Sequence, residues 1–364
     1  MTTIFITGFP GFLGSALVER LLERYEAAVT ITCLVQEKFW SLAQDRAYAM
    51  MRETNAAERI KLLVGDITLP DLGLEEAVYE QLKENIIEIY HLAAVYDLGV
   101  GRDLAMRVNV DGTLHMLWLA QACPQLKRFQ YVSTCYVSGR FEGEFTESML
   151  EEGQAFNNYY EDTKYLAEVA VQQAIKEGLP ATIYRPSIVI GDSETGATQK
   201  YDGPYYIIQL ILRQWRMAIV PVTGNARSYE VNVVPRNFVI DAITYLSGLE
   251  KSAGQVYHIC DPHPLTVDEM LTELSKATGR RLVRVPLPKV IAKGALEYVP
   301  GVQRVMRVEP EAVEYFTQPT HYSCTNTQRD LAGTGIECPP VPTYLNRLIA
   351  FMEAHPEISS NAMV

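Results

Sequence analysis

The sequence predicts an α/β fold: a doubly wound parallel Rossmann sheet with a smaller, discontinuous C-terminal lobe. Three observations predict it. Gly8, Gly11 and Gly14 stand between the apolar run Ile4, Phe5, Ile6 and a helix-patterned stretch, so the chain opens with strand, tight glycine turn and helix. Short apolar runs then alternate with helical patterns over short connections as far as Gly191. Beyond Gly191 the alternation loosens, and Pro286, Pro288, Pro339, Pro340 and Pro342 punctuate the rest.

Taken in order, the strand-like runs are Ile4–Thr7, Val29–Val35, Ile60–Val64, Ile86–Leu92, Phe129–Thr134 and Thr182–Ile190, each short and apolar enough for a sheet covered on both faces. The helical patterns between them are Phe12–Arg24, Trp40–Met51, Glu75–Glu84, Asp103–Ala122 and Asn158–Ile175. Pro235–Leu246 and Val256–Cys260 read as a helix and a strand returning to the first lobe. The expected division is therefore residues 1–191, completed by about 230–261, for the sheet domain. Residues 192–229 and 262–354 form the second lobe, and 355–364 a polar, frayed tail.

Composition narrows the function classes. The chain has 364 residues, 48% of them hydrophobic, enough for a large core, and its net charge of −12 argues against nonspecific nucleic-acid binding. Cys33, Cys123, Cys135, Cys260, Cys324 and Cys338 contain no C-x-x-C pair and no signal sequence precedes the first strand, which fits a reducing cytoplasm. Arg213 and Arg216 interrupt the longest apolar stretch, 205–222, so no transmembrane segment is expected.

The glycine turn suits a dinucleotide pyrophosphate. Glycine allows the turn and a close backbone approach, and the helix N-terminus behind it offers unpaired N–H groups. Tyr160 and Lys164 lie four apart, on one helix face. An ammonium beside a phenol favours the phenolate, which would bring a tyrosine toward useful acid–base range. Tyr79 and Lys83 share that spacing but follow no strand that supplies a hydroxyl; Tyr160 follows Val132, Ser133 and Thr134. Thr134 is expected to hydrogen-bond a reacting carbonyl oxygen that Tyr160 protonates.

These residues resemble the extended short-chain dehydrogenase/reductase superfamily, and within it the branch of fatty acyl-CoA reductases and thioester reductase domains. The resemblance covers most of the chain. It is carried by residues 7–14 (TGFPGFLG), 64–67 (VGDI), 91–94 (HLAA), 109–113 (NVDGT), 132–134 (VST), 160–164 (YEDTK) and 185–191 (RPSIVIG). It implies a catalytic set of Thr134, Tyr160 and Lys164, with Lys164 also holding the nicotinamide ribose. Gly8, Pro10, Gly11, Phe12, Leu13 and Gly14 would lie under the pyrophosphate, and Asp66 and Ile67 beside the adenine. Leu92, Ala93 and Ala94 would follow the ribose path, and Pro186, Ser187, Ile188 and Val189 the nicotinamide. Where NADP-using members place an arginine after the second strand, this chain has Gln36, then Glu37 and Lys38. Lys38 and Arg46 are long enough to supply the missing charge, so NADP(H) is favoured, with NAD(H) the alternative.

The implied activity is NAD(P)H-dependent reduction of an apolar carbonyl, best an acyl thioester or aldehyde. The alternatives are an NAD-dependent epimerase or dehydratase, a hydroxysteroid-type alcohol dehydrogenase, or a nonenzymatic dinucleotide sensor. Against the first stands the apolar stretch 205–215; against the last, the retained tyrosine and lysine. Tyr205, Tyr206, Ile208, Leu212 and Trp215 are expected to line the substrate lobe, although a buried helix or dimer contact would show the same pattern. Arg213, Arg216 and Arg227 could meet the phosphates of CoA or of an acyl carrier protein's arm. A homodimer contact through the Asp103–Ala122 and Asn158–Ile175 helices is a further expectation. His258, Asp261 and His263 fall at a strand end and turn, and no metal site is expected. Cys135, read as continuing the strand, should face away from Thr134.

Overall fold

Seven short apolar runs pair into one parallel sheet: β1 (Thr3–Thr7), β2 (Thr30–Val35), β3 (Ile60–Val64), β4 (Ile86–His91), β5 (Arg128–Val132), β6 (Ala181–Pro186) and β7 (Val256–Ile259). The structure, a computed structural model, describes residues 2–53, 58–288, 317 and 319–359. Residues 289–316 and 318 of the expected second lobe and 360–364 of the expected tail lie outside the described residues. Strand order is β7-β6-β5-β4-β1-β2-β3, every neighbouring pair parallel. The order reverses between β1 and β4, where Thr7 stands opposite both Leu34 and His91. That reversal opens a crevice at the carboxyl ends of the strands, the place where such sheets bind ligands.

Alternation along the strands divides the core between the two faces. Ile4 and Ile6 pack with Leu17 and Leu21 of the Phe12–Arg24 helix, Ala43 and Ala47 of Trp40–Glu53, and Ile240 and Ile243 of Arg236–Ser247. Phe5 faces the other way, with Ile89, Phe129 and Ile183, under Met116 of Gly112–Ala122 and Ala167 and Val171 of Tyr159–Lys176. Each fully buried Leu, Ile, Val, Phe or Met among them contributes about 1.5–3 kcal/mol. A third core lies beyond the sheet edge. There Tyr205, Ile208 and Ile211 of the Pro204–Leu212 helix pack on Leu271 and Leu274 of Val267–Thr278 and on Leu348 and Met352 of Leu345–Ala354. Met217–Val222 and Arg281–Pro286 pair in parallel beside it.

Two expected elements are subdivided. The run Thr182–Ile190 breaks at Ser187, whose N–H bonds the Ile259 carbonyl (3.1 Å), and Ile188–Ile190 leaves the sheet to pair with Val233–Pro235. An apolar run announces a strand but not its partner. Asp103–Ala122 is not one α-helix: Arg102–Ala105 passes into a widened π turn, Met106–Asp111, before Gly112–Ala122. That turn carries the Asn109 amide, which accepts from Val95 N–H (2.8 Å) and donates to the Val95 carbonyl and Thr163 hydroxyl (3.0 Å each).

Candidate active site

The crevice holds two adjoining pockets that share Leu92 and Ala94. The first, about 380 Å³, is floored by Gly8, Pro10 and Gly11 and walled by Gln36 and Lys38, Asp66 and Ile67, and Leu92, Ala93 and Ala94. Its backbone cradle needs glycine. Gly8 has φ +94°, and a Cβ on Gly14 would meet the Gly8 carbonyl oxygen at 2.4 Å. Gly14 therefore acts behind the turn, letting the helix seat against it. Gly11 caps the Phe12–Arg24 helix without any side-chain bond, so the N–H groups of that first turn face the crevice without a side-chain acceptor.

The second pocket, about 290 Å³, is lined by Phe12 and Leu13 from the helix start, Thr134 beyond β5, Tyr160 and Lys164, Pro186 at the end of β6, and Ser187, Ile188 and Val189 beyond it. Ser187 has a buried hydroxyl without a partner among the described residues. A group with its own polar atoms would satisfy it. The glycine cradle, the volume and this hydroxyl together fit a dinucleotide laid along the crevice.

Around the second pocket, Asn158 caps the Tyr159–Lys176 helix by accepting from Glu161 N–H (3.0 Å). That sets Tyr160 in the first turn, half-buried in the pocket wall, with its hydroxyl bonded to the Thr134 side chain. Thr134 is held in turn by the Tyr136 N–H (3.2 Å). Burial pushes the Tyr160 phenol up to about 12, against the opposing pull of the Thr134 bond. Lys164, 3% exposed, donates to the Tyr131 hydroxyl and the Val132 carbonyl (2.9 Å each). Burial draws its ammonium down to about 7, while Glu168 one turn on pushes back. Lys164 thus satisfies itself on β5 and does not lower the Tyr160 pKa. The expected acidified phenol is absent because a buried ammonium takes the nearest fixed acceptors, and these belong to the strand.

Other expectations meet a different geometry. Arg46 bonds the Pro10 carbonyl and Gln199 (2.9 Å), tying the glycine turn to the second lobe without lining the first pocket. Among the second-lobe candidates only Tyr206 lines either of the two crevice pockets. Tyr205, Ile208 and Leu212 pack into the third core, and Trp215, 81% exposed, lies beyond the helix end. Helical periodicity marked an apolar face without showing that a core covers most of it. Cys135 does not extend a strand: β5 ends at Val132, Thr134 caps the short turn Cys135–Ser138, and Cys135 Sγ donates to the Arg185 carbonyl (3.0 Å) beside Cys260 and Cys324. His258 is wedged between Arg185 (2.9 Å) and the Ser323 carbonyl (2.7 Å), and burial together with the Arg185 charge holds its pKa well below the usual range.

Sequence reasoning missed a buried ionic network under the pocket. Arg185 grips both oxygens of Glu168, neither side chain exposed, and Glu168 also accepts from Ser133 (2.5 Å). The available signal was that Glu168 lies four beyond Lys164, on the same helix face. Also missed were Arg107 on the first pocket and Gln199, Lys200 and Asp202 on the second. No periodicity marks the three loop residues, and Arg107 sits in the π turn that the sequence pattern does not reveal.

Residues 6–243 match a family model of NAD-binding domains described as Male sterility protein. A linear gramicidin synthase from Brevibacillus parabrevis is 30% identical over 79% of this chain, and Fatty acyl-CoA reductase wat of Drosophila melanogaster 28% identical over 66%. The chain spans 6% and 53% of the length of these relatives. Among solved structures, the terminal R domain from the myxalamid PKS-NRPS biosynthetic pathway superposes with a TM-score of 0.83 at 28% identity, covering 98% of this chain and 91% of that one.

Proposed function

The chain belongs to the Male sterility protein family of NAD-binding domains, and from that premise we propose that it is an NAD(P)H-dependent reductase of acyl thioesters or aldehydes. The observation that carries the reading is the Thr134–Tyr160 hydroxyl pair facing one pocket with Lys164, at the end of a crevice cradled by glycine. Resemblance to a fatty acyl-CoA reductase and to a synthetase-terminal domain supports the substrate class.

Gly8, Gly11 and the N–H groups of the following helix turn would hold the pyrophosphate, Asp66 and Ile67 the adenosine, and Ser187 the nicotinamide end. Bound there, the reduced nicotinamide supplies a hydride. Thr134 and Tyr160 hydrogen-bond the substrate carbonyl oxygen as it gains charge, and Tyr160 delivers the proton. A phenol near 12 is fully protonated at neutral pH, as an acid must be. Lys164 stands one helix turn from Tyr160 and orients the bound ribose.

NADP(H) is the favoured cofactor, with Lys38 taking the 2′-phosphate, since Lys38 lines the first pocket and Arg46 is engaged elsewhere. The acyl group would arrive on CoA or an acyl carrier protein. Free thiols at all six cysteines fit a cytoplasmic location. No helix among the described residues is long and apolar enough to cross a membrane. Exposed Trp118 and Tyr159 on neighbouring helices are where a homodimer would meet; light scattering tests that. The deciding experiment follows oxidation of NADPH and of NADH with acyl-CoA esters, aldehydes, ketones and sugar nucleotides. Turnover on thioesters or aldehydes that is lost in Tyr160→Phe supports the reading. Tightly retained NAD with no net oxidation, or an active Tyr160→Phe enzyme, would overturn it.

A further inference from the structure

Lys164 owes its position to a chain of hydroxyls that the Tyr160–Lys164 spacing does not contain. Its ammonium has three N–H donors, of which one goes to the Tyr131 hydroxyl (2.9 Å) and one to the Val132 carbonyl (2.9 Å). It also lies 4.4 Å from the centroid of the Tyr131 ring. Lys164 lines the second pocket, so the third N–H is the one available to an occupant.

The Tyr131 hydroxyl is itself fixed. It bonds the Thr113 hydroxyl, which donates its own proton to the Asn109 carbonyl (2.7 Å). His91 Nε2 lies 3.0 Å from the same Thr113 oxygen, and His91 Nδ1 lies 2.7 Å from Thr7 Oγ1. Thr7 Oγ1 accepts from the N–H groups of Leu92 and Ala93 (3.2 Å each), which leaves its proton for His91 Nδ1. His91 therefore carries its proton on Nε2 and donates to Thr113, a tautomer assigned from the network. Thr113 accepts twice and donates once, so no member of the chain wants a donor or acceptor. Thr7, His91, Thr113 and Tyr131 are each at most 1% exposed. The chain runs from the amides beside the glycine turn to the lysine under the pocket.

We propose that Tyr131 is a positioning residue: its hydroxyl, locked by Thr113 and His91, aims the Lys164 ammonium at the second pocket. The inference rests on the reductase reading of that pocket. The groups facing Lys164 are Glu168 and Tyr160 on its own helix, Tyr131 on β5 and His91 on β4. Without the Tyr131 oxygen the ammonium loses one of two fixed acceptors in a nearly dry site and is no longer aimed at the pocket. Its charged form is then less favoured, and the alkaline fall of kcat/KM moves to lower pH.

The test compares Tyr131→Phe and Thr113→Val with the parent and with Tyr160→Phe. It uses NADPH with octanal and octanoyl-CoA for turnover, and fluorescence titration of NADPH for binding. Tyr131→Phe keeps the buried ring and should lower kcat about tenfold with substrate KM nearly unchanged, shift the alkaline limb downward and weaken NADPH binding. Thr113→Val should move all three the same way by less. A purely structural tyrosine would lower Tm and leave these readouts alone, and a folded Tyr131→Phe with parental kcat, pH limb and NADPH affinity would overturn the proposal. Should Tyr131→Phe fail to fold, Thr113→Val decides by the same readouts. An active Tyr160→Phe would instead sink the reductase reading, and the NADPH titration would still report whether Tyr131 aims Lys164.

Discussion

Among the described residues two helices carry a tyrosine and a lysine four residues apart, and only one of them turns the pair into the crevice. On Glu76–Asn85, Lys83 lies 5.2 Å from the Tyr79 ring centroid and pairs with Glu80 at 2.6 Å, at the surface. On Tyr159–Lys176, Lys164 is buried and its hydrogen-bond acceptors come from β5. Burial lifts both phenols to about 12, so acidity of the tyrosine does not tell them apart. What differs is the opposing element. Tyr160 faces Thr134 at the carboxyl end of the sheet beside its switch point, and Tyr79 packs at the margin of a hydrophobic core. The spacing puts both side chains on one face, and the strand opposite decides whether that face meets a pocket.

Removing each phenolic oxygen should separate the two helices most widely. Tyr160→Phe should cut kcat roughly a thousandfold, within the range general-acid loss produces, and Tyr79→Phe should leave turnover unchanged. Equal losses in steady-state assays would mean that the sheet end is not where the proton is delivered. Lys164→Met comes next, with a fall of about a hundredfold in kcat/KM and weaker cofactor binding. The parent's pH profile should show the same lysine. An ammonium drawn from 10.5 to about 7 in the fold is charged below that pH, so kcat/KM should be full in mild acid and fall as pH rises through it. Tyr160, near 12, does not titrate there. Stability runs the other way: between about pH 7 and 10.5 the unfolded chain holds this proton and the folded one does not, so the cost of burying this lysine is fully present below that window and is relieved as pH rises through it. A flat profile from pH 6 to 9 would refute both statements.

The carboxylates near the two lysines extend the contrast from rate to stability. Glu168 is buried and gripped by Arg185, so Glu168→Ala strands a buried guanidinium and should cost about 3–5 kcal/mol in chemical denaturation. Glu80, 57% exposed, makes a surface pair whose loss should cost under about 0.5 kcal/mol. Similar penalties for both would show that the buried network is not what braces the strand end under Thr134.

How much of this was legible follows the same divide. The sheet was, because strands buried on both faces are short continuous apolar runs, and five of the six early runs end within two residues of the observed strands. The sixth was read through Ser187, since a run of β-branched residues does not say where a chain changes partners. The glycine turn was legible because its backbone tolerates little else, and the meeting of Thr134, Tyr160 and Lys164 at one pocket because motif and strand position coincide. Tyr131, His91 and Thr113 were not, since buried residues in a strand or helix read as core whether or not they hold a hydroxyl chain. Arg46 was misplaced for the opposite reason: a long side chain reaches several places, and the Pro10 carbonyl and Gln199 claim it. Trp215 looked like part of an apolar face because periodicity cannot see where a helix stops.

The smallest effects should come from cations at the rim. Lys38 lines the first pocket and stands 5.0 Å from the Phe39 ring, with no carboxylate paired to it among the described residues. One exposed cation meeting a phosphate is worth about 1.4 kcal/mol, or tenfold in affinity. Lys38→Ala should therefore weaken NADPH about tenfold and NADH hardly at all, read by fluorescence titration of each. Lys83→Met, on the helix that carries the same spacing and no site, should change neither. If Lys38→Ala weakens both cofactors alike, its charge serves the shared pyrophosphate, and discrimination must rest with Gln36 or Arg107 on the same pocket. The 2′-phosphate is the only difference between the two ligands, so the ratio of the two losses isolates it from every contact they share.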